Sequence, residues 1–355
     1  MIYNYLIAFL ASFFLVSFLT PLIIKLAFKI GFLDNPNYRK VHKKATPVLG
    51  GLGVFLGFSL MLIFDISISK GELFNRNILG FILGALIIVI VGMIDDRFGM
   101  KPKPKLLGQL FACMAFIYFN NLMTIFGPIY FTLPILIFWM IGLMNAFNFL
   151  DNMDGILSGM AGILALGFYG ITFVSKTQMM MNQAHFIALL SLTFSGAVLG
   201  FLPYNFNPAK IFLGDSGSMF IGYFLGSMGI LSGRFASLRM NSNLFYLLPV
   251  LLLSYAIFDI SLVSYTRKRD GRKVTEGGKD HSTHRIGNAI ESTKLTAIFI
   301  YIINAIIVLI TILVYQAKSV PLLLAITLTF ILFFLFFGKK LNEIPVIITK
   351  NQLKK

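Results

Sequence analysis

The sequence predicts an all-α polytopic membrane protein. Of its 355 residues, 57% are hydrophobic and only 12% are charged, whereas about 25% of the residues in a typical globular domain carry charge. Apolar runs long enough to cross a bilayer as helices recur along the chain. The alternating pattern of a barrel strand does not appear, and neither an internal repeat nor an appended soluble domain is visible.

Eleven helices account for these apolar runs, with ends that a sequence pattern places only to within a few residues. The predicted spans are 4–25, 48–67, 78–95, 106–124, 131–149, 156–174, 184–202, 217–233, 244–266, 295–315 and 320–338. We interpret residues 1–338 as one transmembrane domain and 339–355 as a basic cytoplasmic tail.

The uneven distribution of Lys and Arg over the loops predicts the orientation. With the N-terminus outside, the inward segments hold 24 of the 30 basic residues. Cytoplasmic loops carry such an excess, so the C-terminus is predicted to be cytoplasmic. Eleven of the fourteen acids also fall on this side or at its boundary, so we expect any chemistry there. The net charge of +16 follows mainly from this topology, and the scattered basic residues do not indicate nucleic acid binding.

Polar residues at the end of the fifth span form the most informative motif. Asn145, Asn148, Asp151 and Asp154 recur every three residues, and on a continuous helix they would fan over about half the cylinder. They share one wall only if the segment tightens or breaks into a loop, and Asn152 and Gly155 favour a break because both tolerate a left-handed backbone. Such groups at a membrane helix end usually mark a substrate or ion site. The alternative is a capped helix end with solvated side chains.

Acidic residues also lie at two other helix ends. Asp95 and Asp96 are adjacent at the end of the third span, where they repel each other unless one is protonated or a cation lies between them. This arrangement suits a general base or a metal ligand. Asp215 or Ser216 is predicted to cap the eighth span, where free N–H groups can bind phosphate and a carboxylate can hold Mg²⁺. Capping alone is the simpler interpretation.

Two histidines lie in the longest inward loop. His281 and His284 would share a face of a helical turn, next to Arg285. With Cys113 as the one cysteine of the chain, disulfides are excluded and zinc is disfavoured, so phosphate contacts are the better interpretation. The role of Asp259, inside the ninth span, stays open between a structural and a functional one.

Four motifs, in this order, lie on the predicted cytoplasmic face. They are Arg39-Lys40-Val41-His42 with Pro47 and Gly50-Gly51; Asp95-Asp96-Arg97; the segment from Asn145 to Gly155; and the segment from Pro208 to Ser218. Together they resemble the polyprenyl-phosphate N-acetylhexosamine-1-phosphate transferase family, glycosyl transferase family 4, over about residues 34–290. The resemblance is to its GlcNAc-1-phosphate branch, which is related to the phospho-MurNAc-pentapeptide translocase.

The resemblance implies transfer of GlcNAc-1-phosphate from a UDP-N-acetylhexosamine to undecaprenyl or another polyprenyl phosphate, with release of UMP. This reaction begins cell-envelope glycans such as lipopolysaccharide or teichoic acid. It implies Mg²⁺ as cofactor, with Mn²⁺ as a substitute, a plasma-membrane location and a homodimer as a candidate assembly. The active-site segments would be 25–47, 95–105, 145–155, 203–218 and 267–290. Another UDP-sugar, such as UDP-MurNAc-pentapeptide, and a cation-coupled transporter are the alternatives.

The resemblance also implies individual roles. The catalytic residues would be Asp95, Asp96 and Asp215, and the metal ligands Asp215, Asp95 and Asp154. The substrate-binding residues would be Lys43, Asn145, Asn148, Asp151, Asp154, Phe212, His281, His284 and Arg285. Among them, Phe212 would stack on uracil.

Three departures from the family pattern bear on this interpretation. Thr283 stands where a histidine is common, and Asn152 stands where glycine is common. The lysine that often follows the acidic pair is displaced to Lys101 or later. The first departure leaves the donor sugar open. The lack of the translocase's own blocks outside the shared core favours the GlcNAc branch.

Overall fold

A computed structural model describes residues 2–35, 45–68, 76–173, 181–274 and 278–346. The elements in chain order are α1 (Ile2–Ile30), β1 (Leu33–Asp34), β2 (Thr46–Pro47), α2 (Gly50–Ile68), α3 (Arg76–Phe98), α4 (Pro102–Phe119), α5 (Ile129–Leu150), α6 (Ile156–Phe173), α7 (Met181–Asn205), α8 (Gly214–Met240), a 3₁₀ turn (Asn243–Tyr246), α9 (Leu247–Leu252), α10 (Ser254–Arg269), α11 (Ser282–Ile290), α12 (Thr293–Ala317) and α13 (Val320–Asn342).

The all-α, multi-span membrane fold is confirmed. Within the described ranges, eight helices are long and apolar enough to cross a membrane, and one bent pair of segments could form a ninth span. Each of the eleven predicted spans coincides with a helical segment of the structure. The number of spans and their orientation stay predictions.

The ninth predicted span is broken rather than straight. Its two parts, Asn243–Leu252 and Ser254–Arg269, meet at an angle of 71°. After the break, α10 packs against α5 and α13. The loop that follows contains a further short helix, α11, which the sequence pattern did not reveal beyond one turn.

α8 is the central helix of the fold. In its spanning segment, 89% of the residues are buried, compared with 6% of those in the spanning segment of α13 at the periphery. Small residues such as Gly222 and Gly226 recur along α8, and small residues allow membrane helices to pack closely. Since α2, α3 and α5 all contact α8, its N-terminal end is surrounded by the ends of its neighbours.

Short main-chain contacts tie the first loop to the start of α8. The two-residue strands β1 and β2 pair in antiparallel register. Next to them, Phe212 N donates to Pro47 O at 2.9 Å, and Gly50 N donates back to Phe212 O at 3.0 Å. Gly51 N also donates to Leu213 O at 2.9 Å. Main-chain hydrogen bonds therefore join the segment before α2 to the segment before α8.

Candidate active site

Two carboxylates from different helices share one lysine. Nζ of Lys105, in the first turn of α4, lies 2.8 Å from Oδ2 of Asp95 and 2.7 Å from Oδ2 of Asp215. Asp95 belongs to the last turn of α3, and Asp215 to the first turn of α8. The side chains of Lys105 and Asp95 are only 17% and 10% exposed, so water screens this contact less than a surface ion pair.

The second oxygen of each carboxylate has a neutral donor. Asn148, near the end of α5, donates from Nδ2 to Oδ1 of Asp215 at 2.7 Å and lies 2.8 Å from Oγ of Ser218. The main-chain N–H of Met100 donates to Oδ1 of Asp95 at 2.6 Å. Four helix ends thus meet in one hydrogen-bonded cluster. Lys105 and Ser218 were not among the predicted site residues, although the displaced family lysine pointed to this stretch.

Asp96 has a different environment from its neighbour Asp95. Asp215 N donates to its Oδ1 at 2.7 Å and Ser216 N donates to its Oδ2 at 3.1 Å. A carboxylate of α3 therefore caps the N-terminus of α8, where unpaired N–H groups and the helix dipole favour negative charge. The predicted capping by the side chain of Asp215 or Ser216 is wrong. Because Asp96 occupies these two amides, they are not available to a phosphate.

Two glycines allow this close approach. A Cβ atom on Gly92 would lie 2.3 Å from Cα of Ser216, and a Cβ atom on Gly51 would lie 2.1 Å from N of Gly217. Both contacts are with backbone atoms, which cannot rotate away. Any larger residue at either position would push α3 or α2 away from the start of α8.

The motif at the end of α5 leaves the helix as predicted. α5 ends at Leu150, and Gly155 adopts a φ of +76°, whereas Asn152 is not among the residues with positive φ. Oδ2 of Asp154 accepts hydrogen bonds from the side chain of Asn207 at 2.9 Å and from Ala209 N at 3.0 Å. The turn after α5 is therefore fastened to the loop before α8.

Asp151 lies among the other carboxylates of the site. Burial, together with the negative charges of Asp215, Asp96 and Asp154, raises the pKa of Asp151 to about 8. At pH 7 the Asp151 side chain is therefore largely protonated and able to donate a hydrogen bond. A cation bound nearby would favour the ionised form instead.

The remaining predicted residues of this region are placed as follows. Asn145 and Gln109 exchange side-chain amide hydrogen bonds of 3.1 and 3.4 Å between α5 and α4. Asn145 also donates to Ile141 O at 2.8 Å, so its role in the structure is to join two helices. Phe212 pairs through its main chain with the end of β2 and the start of α2. Lys43 lies outside the described residues.

A second polar cluster is built around Asp259 of α10. Oδ2 of Asp259 lies 2.8 Å from Nδ1 of His281, and Oδ1 accepts from N and Oγ of Ser282 at 2.7 and 2.5 Å. The hydroxyl of Tyr255 lies 2.9 Å from Oγ of Ser282. Asp259 is fully buried, and it holds the start of α11 against α10. A single acid within an apolar span was the sequence signal for this contact.

Buried ion pairs hold the loop between α10 and α11. The guanidinium group of Arg267 is 1% exposed and binds both oxygens of Asp280, at 2.9 and 2.7 Å. Arg272 binds the same carboxylate at 2.8 Å. Burial alone would raise the pKa of Asp280, but the hydrogen bonds from Arg267 and the two positive charges lower it to about 2. The loop is thus anchored by a fixed, fully ionised network.

Arg285 and His284 differ in their contacts. Arg285 donates to the main-chain oxygens of Asp280, Leu341 and Ile344 at 3.0, 3.1 and 3.3 Å, which fastens α11 to the end of α13. By contrast, Nδ1 of His284 is buried without a hydrogen-bond partner. Burial and the nearby charge of His281 lower the pKa of His284 to about 4, so the imidazole is neutral at pH 7.

The two clusters meet through the end of α5. The ring of Phe149 packs edge-on against His281, with 5.8 Å between the ring centroids, and the guanidinium carbon of Arg267 lies 5.8 Å from the Phe149 centroid. Thr283 Oγ1 donates to Asn152 Oδ1 at 2.7 Å. The two residues that depart from the family pattern at 152 and 283 are therefore direct hydrogen-bond partners.

Asp95 and Asp215 offer a suitable donor set for Mg²⁺, whereas the predicted third ligand, Asp154, has hydrogen-bond partners of its own. Mg²⁺ prefers oxygen ligands, and one or two carboxylates suffice because water and phosphate complete its coordination. Oδ2 of both acids already contacts one cation, the ammonium of Lys105. One oxygen of Asp154 is engaged by the loop before α8. Within the described segments, no three His, Cys, Asp or Glu side chains are grouped closely enough to hold a metal by themselves.

An apolar groove lies between α10 and α13, apart from the carboxylates. It has a volume of about 640 Å³, and Phe258 and Phe334 are among its lining residues. Arg269 and Lys339 also line the groove. Neither Asp95 nor Asp215 lines it.

Comparisons of the sequence with known proteins point to one family. Residues 78–233 match the model of glycosyl transferase family 4. A probable undecaprenyl-phosphate N-acetylglucosaminyl 1-phosphate transferase of Bacillus subtilis is 30% identical over 335 residues, which cover 92% of this chain and 88% of that protein. A decaprenyl-phosphate N-acetylglucosaminephosphotransferase of Mycolicibacterium smegmatis is 28% identical, over 80% of this chain and 76% of its own. A phospho-N-acetylmuramoyl-pentapeptide-transferase of Prochlorococcus marinus is 30% identical, over 70% of this chain and 74% of its own.

Proposed function

Because the chain belongs to glycosyl transferase family 4, we propose that it transfers GlcNAc-1-phosphate from UDP-GlcNAc to polyprenyl phosphate. An oxygen of the lipid phosphate forms a bond to the sugar-linked phosphorus of the donor. The bond between that phosphorus and the bridging oxygen breaks, and UMP leaves with the electron pair. The product is polyprenyl-diphospho-GlcNAc.

The observation that carries this proposal is the convergence of Asp95, Asp215, Asn148 and Lys105 from four helix ends. Two anionic phosphates must approach each other in this reaction, so the site has to neutralise charge and hold both groups in line. Carboxylates that bind cations and a lysine that can bind phosphate directly neutralise the charge and hold both phosphates in position. A transporter would instead be expected to hold its ionisable groups near the membrane midplane.

We propose direct attack by the lipid phosphate. A phosphate monoester is already largely ionised at pH 7, so removal of a proton contributes little. Both oxygens of Asp96 are bonded to main-chain amides, which supports a positioning role for this acid rather than that of a base. Asp95 and Asp215 remain as the carboxylates that would hold a divalent cation.

We propose Mg²⁺ as the cofactor, held by Asp95 and Asp215, with Asn148 fixing the orientation of Asp215. When bound, the ion neutralises charge on the phosphate oxygens during transfer. The contacts of Asp154 favour a role in shaping the loop before α8 over that of a direct ligand.

Recognition of the sugar is proposed to involve the second cluster. Because His284 is neutral at pH 7, its imidazole suits a hydroxyl or amide group of the sugar better than the charged diphosphate. The fixed hydrogen bond between Thr283 and Asn152 connects this histidine to the turn after α5. Arg285 is bonded to main-chain oxygens, which favours a structural role for it.

The location of the reaction follows from the same reasoning. We propose that these helix ends face the cytoplasm at the plasma membrane, where the soluble nucleotide is available. The isoprenoid chain would lie along the membrane-facing helices, and the apolar groove between α10 and α13 is one candidate surface for it.

The test is a donor comparison with purified protein. The protein is incubated with Mg²⁺, undecaprenyl phosphate and either UDP-GlcNAc or UDP-MurNAc-pentapeptide, each radiolabelled in the sugar. UMP release and label in the organic phase are measured together. Label in lipid from UDP-GlcNAc, with equal UMP release, is the expected result. UMP release without labelled lipid, or no reaction with either donor, would refute the proposal.

UDP-MurNAc-pentapeptide is the second candidate donor. The Prochlorococcus marinus relative is named for that transfer and is also 30% identical, although over 70% of this chain compared with 92% for the Bacillus subtilis relative. Preferential labelling of lipid from this donor would assign the chain to that reaction instead.

A further inference from the structure

Lys105 occupies the position that a divalent cation would be expected to take. Its ammonium group lies between Oδ2 of Asp95 and Oδ2 of Asp215, at 2.8 and 2.7 Å. The other oxygen of each acid is bonded to a neutral donor, the N–H of Met100 or the amide of Asn148. The two facing oxygens are therefore held in place for a cation, and a side chain of the protein itself supplies one.

The Lys105 ammonium group and a divalent cation cannot both bind this pair of oxygens without strong electrostatic repulsion. Charges a few ångströms apart repel strongly in a partly buried site, and the repulsion doubles when one of them is divalent. The lysine side chain has a flexible four-carbon stem, so it can leave the site without moving the backbone.

We propose that Lys105 is a displaceable counter-ion. It pairs with Asp95 and Asp215 before the divalent cation binds, and it moves to the phosphates of the nucleotide when the two acids bind that cation. This inference rests on the proposed function, because the nucleotide sugar supplies the new partner for the ammonium group. Lys105 thereby prevents tight metal binding in the absence of substrate.

The proposal predicts reciprocal coupling between metal and nucleotide. A nucleotide that attracts Lys105 frees the carboxylates, so each ligand tightens the binding of the other by the same factor. A neutral side chain at position 105 removes the competition and therefore the part of the coupling that passes through Lys105, whereas direct contact between metal and diphosphate is retained.

The test measures Mn²⁺ binding to the purified protein by electron paramagnetic resonance, with and without UDP. In Lys105→Met, Mn²⁺ alone is expected to bind about tenfold more tightly than in the wild type, and the factor by which UDP tightens Mn²⁺ binding is expected to be about tenfold smaller than in the wild type. Lys105→Arg, which keeps the charge, should retain most of the coupling. Lys101→Met is the matched control, because Lys101 precedes the same helix and is exposed; it should stay within about twofold of the wild type.

Unchanged or weaker Mn²⁺ binding by a folded Lys105→Met protein would overturn the inference. Lys105→Gln provides a second neutral variant if the Met variant does not fold, and the same result with it would be equally decisive. If the wild type transfers phosphosugar but Lys105→Met binds Mn²⁺ with the same affinity as the wild type, this inference alone is refuted. A wild-type protein that transfers no phosphosugar refutes the proposed function and the nucleotide half of the inference with it.

Discussion

Replacement of Gly92 by alanine tests how closely the α3–α8 contact controls the site. The added Cβ atom would lie 2.3 Å from Cα and 2.4 Å from N of Ser216. Carbon atoms pack at about 3.5–4.0 Å, so the two helices must separate by about 1 Å or more. Asp96 lies one helical turn after Gly92 on the same face of α3, and it moves with this part of the helix.

The magnitude follows from the bonds that the separation breaks. Asp96 accepts from Asp215 N at 2.7 Å and from Ser216 N at 3.1 Å. A displacement of about 1 Å takes both beyond hydrogen-bond range, and a hydrogen bond contributes about 0.5–1.5 kcal/mol to stability. Overpacking adds about 1–3 kcal/mol. These terms are not additive, and we expect a loss of at least about 2 kcal/mol in the free energy of unfolding.

The catalytic effect should exceed the effect on stability. Asp215 sits at the displaced helix end, and a misplacement of about 1 Å can reduce turnover by about 10²-fold. The assay is kcat for UMP release, measured together with the melting temperature in detergent. Gly53→Ala is the matched control, since its Cβ atom would meet Ile23 at an ordinary contact distance of 3.4 Å. Both substitutions replace a helical glycine by alanine and so gain the same small amount of helix propensity, which cancels when the two variants are compared.

Two results would contradict this reasoning. A Gly92→Ala protein with the melting temperature and kcat of Gly53→Ala would show that α3 and α8 are not in close contact. A lower melting temperature with normal kcat would show that the capping of α8 by Asp96 does not position the site.

Three further predictions concern single contacts. Asp215→Asn should abolish divalent-cation-dependent UMP release while leaving the melting temperature within a few degrees of the wild type, and near-normal turnover would refute its assignment as metal ligand. Asp151 has a folded-state pKa near 8, above its unfolded value, so the folded protein loses stability as the pH rises from about 4 to 8. Asp151→Asn should therefore raise the melting temperature in EDTA at pH 8 and leave it unchanged near pH 4; an equal shift at both values would contradict this pKa. A double-mutant cycle with Asn152→Ala and Thr283→Val should give a coupling energy of about 0.5–1.5 kcal/mol in unfolding, whereas additive effects would exclude the hydrogen bond.

The sequence by itself determined the helices and the segments that meet at the candidate site. A membrane helix is a local property of an apolar run, so all eleven predicted spans coincide with helical segments. The break after α5 was equally readable, because Gly155 tolerates the backbone conformation that it adopts. The bend in the ninth span and the length of α11 could not be predicted from the sequence, because packing against other helices decides both.

Only the tertiary structure decided what each acid does. Asp95 and Asp96 are identical neighbours in the sequence, but successive residues of a helix point about 100° apart, so one meets the lysine of α4 and the other the amides of α8. The same holds for Lys101, Lys103 and Lys105 at the start of α4, of which the helical phase brings Lys105 to the carboxylates. Contacts between residues 110 or more positions apart depend on how whole helices pack, and no local pattern encodes that.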